Sequence, residues 1–168
     1  MIREINKTSD NMAARNLMLS LVRGFPTRAA TMIEARQRID GWLQRQGFQP
    51  GDISLENGSG LSRGERGKPR AMVQLLRNAW ASQQSQAFID SLPIAGIDGT
   101  LAHRMTNGRA TGAAFLKTGT LLDTRALAGY VKAVSGKTYA VAALVNHPEA
   151  QRALPTLDGL IEWIARNG

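Results

Sequence analysis

Apolar side chains recur at helical spacing through the first half of the chain. One such run covers residues 12–22; it follows the pair Ser9-Asp10, which can cap a helix, and ends at a Gly-Phe-Pro turn. A second run covers residues 32–43, with Thr27 as the expected N-cap, and stops at Gly47. This half of the chain is therefore predicted to be mainly helical.

Two further helices are expected before the chain changes character. Pro69 suits the first turn of a helix, where no backbone N–H is needed, and apolar residues follow it at helical spacing as far as Trp80. A shorter helix is expected over residues 84–90. The stretch 53–55 is long enough only for a small strand. Residues 92–108 are rich in glycine, which predicts an irregular path with at most one helical turn near Leu101.

The last third of the chain is rich in strand-forming residues. Residues 112–118, 126–134 and 138–145 are the predicted strands, and Ser135-Gly136-Lys137 predicts a hairpin turn between the last two. A final helix is expected to begin at Glu149 or Pro155 and to run to Arg166. Helices, antiparallel strands and a covering helix predict one α+β domain over residues 1–168, without repeats or an interdomain linker.

The charge of the chain suggests an anionic partner. A formal charge of +8 and a pI near 10.8 suit nucleic acid, a membrane surface or an acidic wall polymer. The densest basic cluster, residues 63–70, contains glycine and proline but no aromatic residue on which a base could stack, which favours a solvated loop. No apolar run is as long as a membrane span, and the first residues have no features of a secretory signal.

No metal or cofactor is expected. The chain contains no cysteine, so it has neither disulfides nor thiolate metal sites, and His103 and His147 lack metal-ligand spacing. The sequence Ser-Gly-Lys-Thr at residues 135–138 is similar to the end of a phosphate-binding loop. However, Val131 stands where such a loop has glycine, and a strand run follows instead of a helix, so the hairpin is favoured.

Two short motifs indicate chemistry. Lys117-Thr118-Gly119 follows an apolar run, can offer an ammonium and a hydroxyl to a carboxylate, and leaves space for an extended ligand; Thr120 continues the pattern. Ser9-Asp10-Asn11 lies far upstream and, taken alone, is typical of a helix cap. Serine acyl-transferases of the penicillin-binding type combine such motifs with Ser-x-x-Lys. No serine of this sequence has a lysine three places on.

Further stretches strengthen the likeness to one family. They are Asn57-Gly58-Ser59-Gly60-Leu61-Ser62-Arg63, residues 92–101, Leu127-Ala128-Gly129-Tyr130 and residues 144–148. With these stretches, nearly the whole chain resembles the C-terminal portion of the class C low-molecular-mass penicillin-binding proteins, the D-alanyl-D-alanine carboxypeptidase/endopeptidases. The resemblance implies part of the penicillin-binding/β-lactamase transpeptidase-like fold. It also implies a periplasmic location.

The resemblance implies serine acyl transfer on peptidoglycan stem peptides, a site that β-lactams also acylate. In that scheme Ser9 relays a proton toward the leaving amine, and Asn11 hydrogen-bonds the substrate amide and the catalytic lysine. Lys117 and Thr118 bind the terminal carboxylate of the peptide. The implied catalytic residues are Ser9, Asn11 and Lys117, and the implied substrate-binding residues are Lys117, Thr118, Gly119 and Thr120. The backbone N–H of Thr120 is one of two oxyanion donors.

Members of this family are considerably longer and carry the Ser-x-x-Lys helix before the region seen here. The resemblance therefore implies a fragment that is inactive alone, and it leaves the strand at 138–145 as an exposed edge through which chains could self-associate. Two alternatives remain open at this point. One is a non-catalytic domain that binds peptidoglycan peptides, and the other is a basic nucleic-acid module.

Overall fold

The computed structural model describes residues 1–168 as two compact units. The first comprises Met1–Ser9 with Met72–Gly168, and the second comprises Asp10–Ala71. The helices are α1 (Ile2–Thr8), α2 (Asn11–Ser20), α3 (Met32–Arg45), α4 (Pro69–Trp80), α5 (Ser85–Ser91) and α6 (Leu154–Asn167). The strands are β1 (Ile53–Ser54), β2 (Arg66–Gly67), β3 (Ala114–Leu121), β4 (Thr124–Lys132) and β5 (Thr138–Asn146). Two 3-10 turns cover Gly99–Leu101 and Ala150–Ala153.

The predicted α+β class is confirmed, since six helices accompany antiparallel strands. In the first unit, β3, β4 and β5 form an antiparallel sheet in that order. Helix α6 packs on one face, where Leu157 and Ile161 meet Leu116 and Leu127 in a buried cluster. No helix is both long enough and apolar enough to cross a membrane.

The opposite face of the sheet packs on α4 and α5 around Tyr130. This ring is 2% exposed, belongs to one cluster with Leu76 and Ile89, and lies edge-on to Phe88 with ring centroids 6.3 Å apart. The Tyr130 hydroxyl donates to the Leu76 carbonyl across 2.6 Å. Burial raises the pKa of Tyr130 to about 12, so the hydroxyl remains a donor at neutral pH. The sheet is therefore covered on both faces.

The second unit has its own small core. Met18 and Val22, from α2 and the turn after it, pack with Ala35 of α3, and Leu55 beside the β1–β2 pair lies against them. Each strand of that pair has only two residues. The loop between the strands is held by Glu65, whose carboxylate accepts three consecutive backbone N–H groups. This loop contains the whole Gly-Ser-Gly-Leu-Ser-Arg stretch, residues 58–63.

Two details of the helices differ from the sequence predictions. The N-cap of α3 is Thr31, not Thr27, because Thr31 and Glu34 form a reciprocal capping box. The Thr27 hydroxyl instead donates to the Gly24 carbonyl. Helix α1 was not predicted at all: it has seven residues, and only Ile5 and Lys7 among them are buried, so no apolar periodicity marks it.

A loop runs along the outer edge of β3 and pairs with the part of the strand that precedes the candidate site. We call residues 92–98 the edge segment. The Ala95 N–H donates to the Ala114 carbonyl and the Leu116 N–H donates to the Pro93 carbonyl, each across 2.9 Å. Ile94 and Phe115 form an antiparallel bridge between them. The edge segment thus pairs with β3 as far as Leu116, one residue before Lys117.

Candidate active site

Ser9 ends α1 in a conformation that frees its hydroxyl from capping. Its backbone is left-handed, with φ 59° and ψ 44°, and its N–H donates to the Ile5 carbonyl. The cap of α2 is Asp10, whose carboxylate accepts the Ala13 N–H across 2.9 Å. The capping role expected for this pair therefore belongs to Asp10. The Ser9 hydroxyl is left for another partner.

That partner is Lys117. Its ammonium donates to the Ser9 hydroxyl across 2.7 Å and to the Thr118 carbonyl across 2.8 Å. Lys117 is partly buried, and burial lowers its pKa from the ordinary lysine value. The hydrogen bond joins the Lys117 ammonium directly to a hydroxyl. This geometry suits proton transfer between the two groups, and the ammonium can attract an anion.

The backbone of β3 carries its donors toward the outer edge of the sheet. In an antiparallel strand, alternate residues point their N–H groups to the same side. The Leu116 N–H faces the edge segment, since it donates to Pro93. The N–H groups of Thr118 and Thr120 consequently face the same side, further along the strand. This is the direction from which an extended peptide would add to the sheet.

Thr100 is a neighbour of the site that the sequence reasoning missed. Its hydroxyl lies 2.9 Å from the hydroxyl of Thr118, so the two form a pair beside the Lys117 strand. In the sequence, the stretch 92–101 contributes only to the family likeness and indicates no role for any single residue. A threonine next to Asp98-Gly99 carries no local signal, because its contact with Thr118 arises from the path of the loop.

Gly119 is not required by the fold. Its backbone is not left-handed, and a Cβ placed there would meet only the Ala126 Cβ, at 3.4 Å, an ordinary contact distance. Gly129 on the next strand is different, because a Cβ there would lie 2.0 Å from the Phe115 carbonyl oxygen. The glycine at position 119 thus leaves room on the strand that packing does not use.

The remaining candidate, Asn11, is the first residue of α2 and belongs to the second unit, whereas Ser9, Lys117 and the residues up to Thr120 belong to the first. Its proposed role stays a prediction.

The two histidines are exposed, and His147 accepts the Glu149 N–H at its Nδ1 atom. In the basic loop, Lys68 forms an ion pair with Asp52 across 2.9 Å.

Comparison with known proteins identifies relatives of this chain. Residues 1–167 match the model of the D-Ala-D-Ala carboxypeptidase 3 (S13) family. The D-alanyl-D-alanine carboxypeptidase DacB of Haemophilus influenzae is 28% identical over 148 residues, which are 87% of this chain and 31% of that protein. A D-alanyl-D-alanine carboxypeptidase of Actinomadura sp. is 34% identical over 139 residues, 78% of this chain and 25% of that protein.

Solved structures agree with the sequence relatives. Penicillin binding protein 4 of Haemophilus influenzae, in complex with a β-lactam, superposes with a TM-score of 0.82 at 25% identity over 96% of this chain and 41% of that one. A predatory endopeptidase of Bdellovibrio bacteriovorus shares the fold, with a TM-score of 0.71 over 96% of this chain and 40% of that one. The chain spans less than half the length of these relatives.

The resemblance to low-molecular-mass penicillin-binding proteins is therefore confirmed. The family model extends over nearly every residue, and the same fold is found in a β-lactam complex of a relative. The chain belongs to the D-Ala-D-Ala carboxypeptidase 3 (S13) family.

Proposed function

We propose that this chain supplies the Ser-x-Asn and Lys-Thr-Gly part of a D-alanyl-D-alanine carboxypeptidase/endopeptidase site that acts on peptidoglycan peptides by serine acyl transfer. The observation that carries the proposal is the 2.7 Å contact between the Ser9 hydroxyl and the Lys117 ammonium, just beyond the edge segment on β3. Peptidoglycan lies outside the cytoplasmic membrane, so the proposed location is the periplasm.

Each residue then has a chemical task. Lys117 and Thr118 bind the terminal carboxylate of the stem peptide, while Gly119 leaves room for the extended backbone. Ser9 relays a proton to the leaving amine, and Asn11 holds the substrate amide. The Thr120 N–H stabilises the oxyanion of the tetrahedral intermediate.

The nucleophile is the part of this scheme that residues 1–168 do not supply, since no serine among them is followed by lysine at the third position. A serine without an adjacent base is a poor nucleophile at neutral pH. We therefore expect the 168-residue chain alone to bind the peptide but neither to hydrolyse it nor to form an acyl-enzyme with a β-lactam.

The binding half of the proposal is tested with two ligands that differ only at one end. A peptide ending in D-Ala-D-Ala carboxylate is titrated into the chain by calorimetry, and the same peptide with a C-terminal amide is the control. The carboxylate should bind about tenfold more tightly, the effect of roughly 1.4 kcal/mol from a charge-assisted contact. The variant Lys117→Met should abolish the difference. Equal affinities for both peptides in the unaltered chain would contradict the proposal.

A second candidate is a non-catalytic domain that binds peptidoglycan peptides, favoured by the same lack of Ser-x-x-Lys in residues 1–168. Both candidates predict peptide binding, and they differ in what they predict for a protein that joins this chain to a Ser-x-x-Lys segment of the family. Covalent labelling of that protein by penicillin, seen by intact mass, supports the enzyme, and its absence supports the binder. A serine adduct on the 168-residue chain itself would refute the predicted inactivity. Salt-dependent DNA binding without peptide binding would refute both.

The sheet edge supports a further proposal about assembly. Strand β5 forms the edge opposite β3, and its nine residues, Thr138–Asn146, include no charged residue and no proline. Such an edge presents unpaired backbone groups and lacks the residues that usually prevent strand addition. We expect the chain to self-associate through β5 at high concentration.

A further inference from the structure

Lys7 is an almost completely buried ammonium outside the motifs described above. The residue is 9% exposed, and its Nζ atom donates to the Leu92 carbonyl across 2.6 Å and to both carboxylate oxygens of Asp98 across 2.7 Å. An ammonium has three N–H donors, so these acceptors match its capacity. These hydrogen bonds and the ion pair with Asp98 therefore connect the end of α1 to the edge segment.

Asp98 also shapes the edge segment itself. One of its carboxylate oxygens accepts the Ile94 N–H across 2.8 Å, which closes the turn at residues 94–98. Gly99 follows with φ +58°, and a Cβ there would lie 2.8 Å from the Lys7 carbonyl oxygen. A side chain at position 99 would therefore push α1 away. The last turn of α1 and the loop meet at backbone distance.

The edge segment carries this contact to the strand of the Lys-Thr-Gly motif. Pro93 and Ala95 hydrogen-bond to β3 at Leu116 and Ala114, immediately before Lys117. Ser9 lies two residues after Lys7 at the other end of the same arrangement. The structure therefore forms a closed path from Lys7 through the edge segment to β3, and back through the Lys117–Ser9 hydrogen bond.

We propose that Lys7 is a positioning residue, whose ion pair with Asp98 holds the Ser9 hydroxyl against the Lys117 ammonium. Lys7 contacts neither of those groups directly and acts through α1 and the edge segment. This ion pair is partly buried, with the Lys7 side chain 11% and the Asp98 side chain 32% exposed. Such a pair adds little stability compared with an apolar pair of the same volume, but it holds its two side chains in one geometry. A fixed geometry at this point helps to keep the side chains of Ser9 and Lys117 within hydrogen-bond distance. The proposal rests on the proposed function for its catalytic meaning, although the geometric claim stands by itself.

The test measures the pKa of the Lys117 amine in the 168-residue chain. Lysine labelled with carbon-13 at Cε is titrated by NMR, and the Lys117 signal is assigned from its loss in Lys117→Arg. In Lys7→Met the Lys117 titration midpoint should rise toward that of an ordinary lysine, because loosening α1 lets water reach the amine. An unchanged midpoint in a folded Lys7→Met variant would overturn the proposal.

A matched control separates positioning from general loss of stability. Arg104 forms a second partly buried ion pair of the same unit, with Asp158 of α6 across 2.5 Å. The variant Arg104→Met should lower the thermal midpoint of unfolding but leave the Lys117 titration unchanged. A shift in Arg104→Met equal to that in Lys7→Met would show that any destabilisation disturbs the amine, and would refute the specific role of Lys7.

The double variant Lys7→Met with Asp98→Asn guards against failure of the single variant to fold. It leaves no unpaired carboxylate, so part of the lost thermal stability should return, while the Lys117 midpoint should stay displaced because the ion pair is still absent. Recovery of the thermal stability and of the Lys117 midpoint together would refute the proposal.

Peptide titration distinguishes failure of the proposed function from failure of the positioning role. If the unaltered chain binds no D-Ala-D-Ala peptide, the proposed function fails, whereas the Lys117 titration still decides the positioning role.

Discussion

The Ser9 hydroxyl and the Lys117 ammonium lie 2.7 Å apart although 108 positions of sequence separate them. One ends a seven-residue helix and the other lies within an eight-residue strand. Their contact exists because Asp10, not Ser9, caps the following helix, which leaves the serine hydroxyl free to accept from the lysine.

Two replacements of Ser9 should distinguish the effect of its left-handed backbone on stability from the effect of its hydroxyl on function. Ser9→Ala and Ser9→Gly both remove the acceptor for Lys117, but only alanine must hold a left-handed φ of 59°. We expect Ser9→Gly to be more stable than Ser9→Ala by about 1 kcal/mol in urea unfolding. In a protein that joins this chain to a Ser-x-x-Lys segment of the family, both variants should lose hydrolytic function alike. Equal or reversed stabilities would show that the left-handed conformation of Ser9 is wrong.

Gly119→Ala should affect binding without harming the fold. The added methyl group meets only the Ala126 Cβ at 3.4 Å, and alanine in a strand costs less chain entropy than glycine, so stability should be unchanged or higher by up to about 1 kcal/mol. Affinity for a D-Ala-D-Ala peptide should fall. Gly129→Ala is the contrasting variant and should unfold easily, since its methyl group collides with the Phe115 carbonyl. Unaltered peptide affinity in Gly119→Ala would remove Gly119 from the binding site.

The stability of the chain should show the lowered pKa of Lys117. Because burial lowers this pKa in the folded state, the folded protein releases the proton at a lower pH than the unfolded chain does. Unfolding free energy should therefore rise with pH from the folded pKa up to the ordinary value of 10.5. In Lys117→Met this rise should be missing. The measurement is urea unfolding of both proteins at several pH values, and parallel curves would contradict the burial effect.

Self-association through β5 should be sensitive to a charge on that strand. Leu144 is 37% exposed, so Leu144→Lys should preserve the fold while it opposes pairing of two uncharged edges. Val134→Lys is the control, since Val134 is exposed and lies outside the strands. In sedimentation velocity the unaltered chain and the control should form dimers at high concentration, and Leu144→Lys should not. A monomer in all three would exclude association through β5.

The local elements of the fold follow from the sequence because they depend on neighbouring residues. Apolar spacing located α2, α4 and α6, and strand-forming runs located β3 to β5. The prediction of Thr27 as the N-cap placed the start of α3 too early, whereas the structure shows Thr31 and Glu34 as its capping box. Helix α1 escaped because its few buried positions form no apolar stripe.

By itself, the sequence determined the α+β class, the family likeness and the position of Lys117-Thr118-Gly119 at a strand. Only the tertiary structure decided that the Ser9 hydroxyl accepts a hydrogen bond from Lys117 while Asp10 caps α2. It also decided that Thr100 contacts Thr118 and that Lys7 pairs with Asp98 across 91 positions. The physical reason is the range of the interactions. Periodicity and capping report on residues within a turn or two, whereas these contacts depend on the path of a loop whose hydrogen bonds to β3 no local pattern specifies.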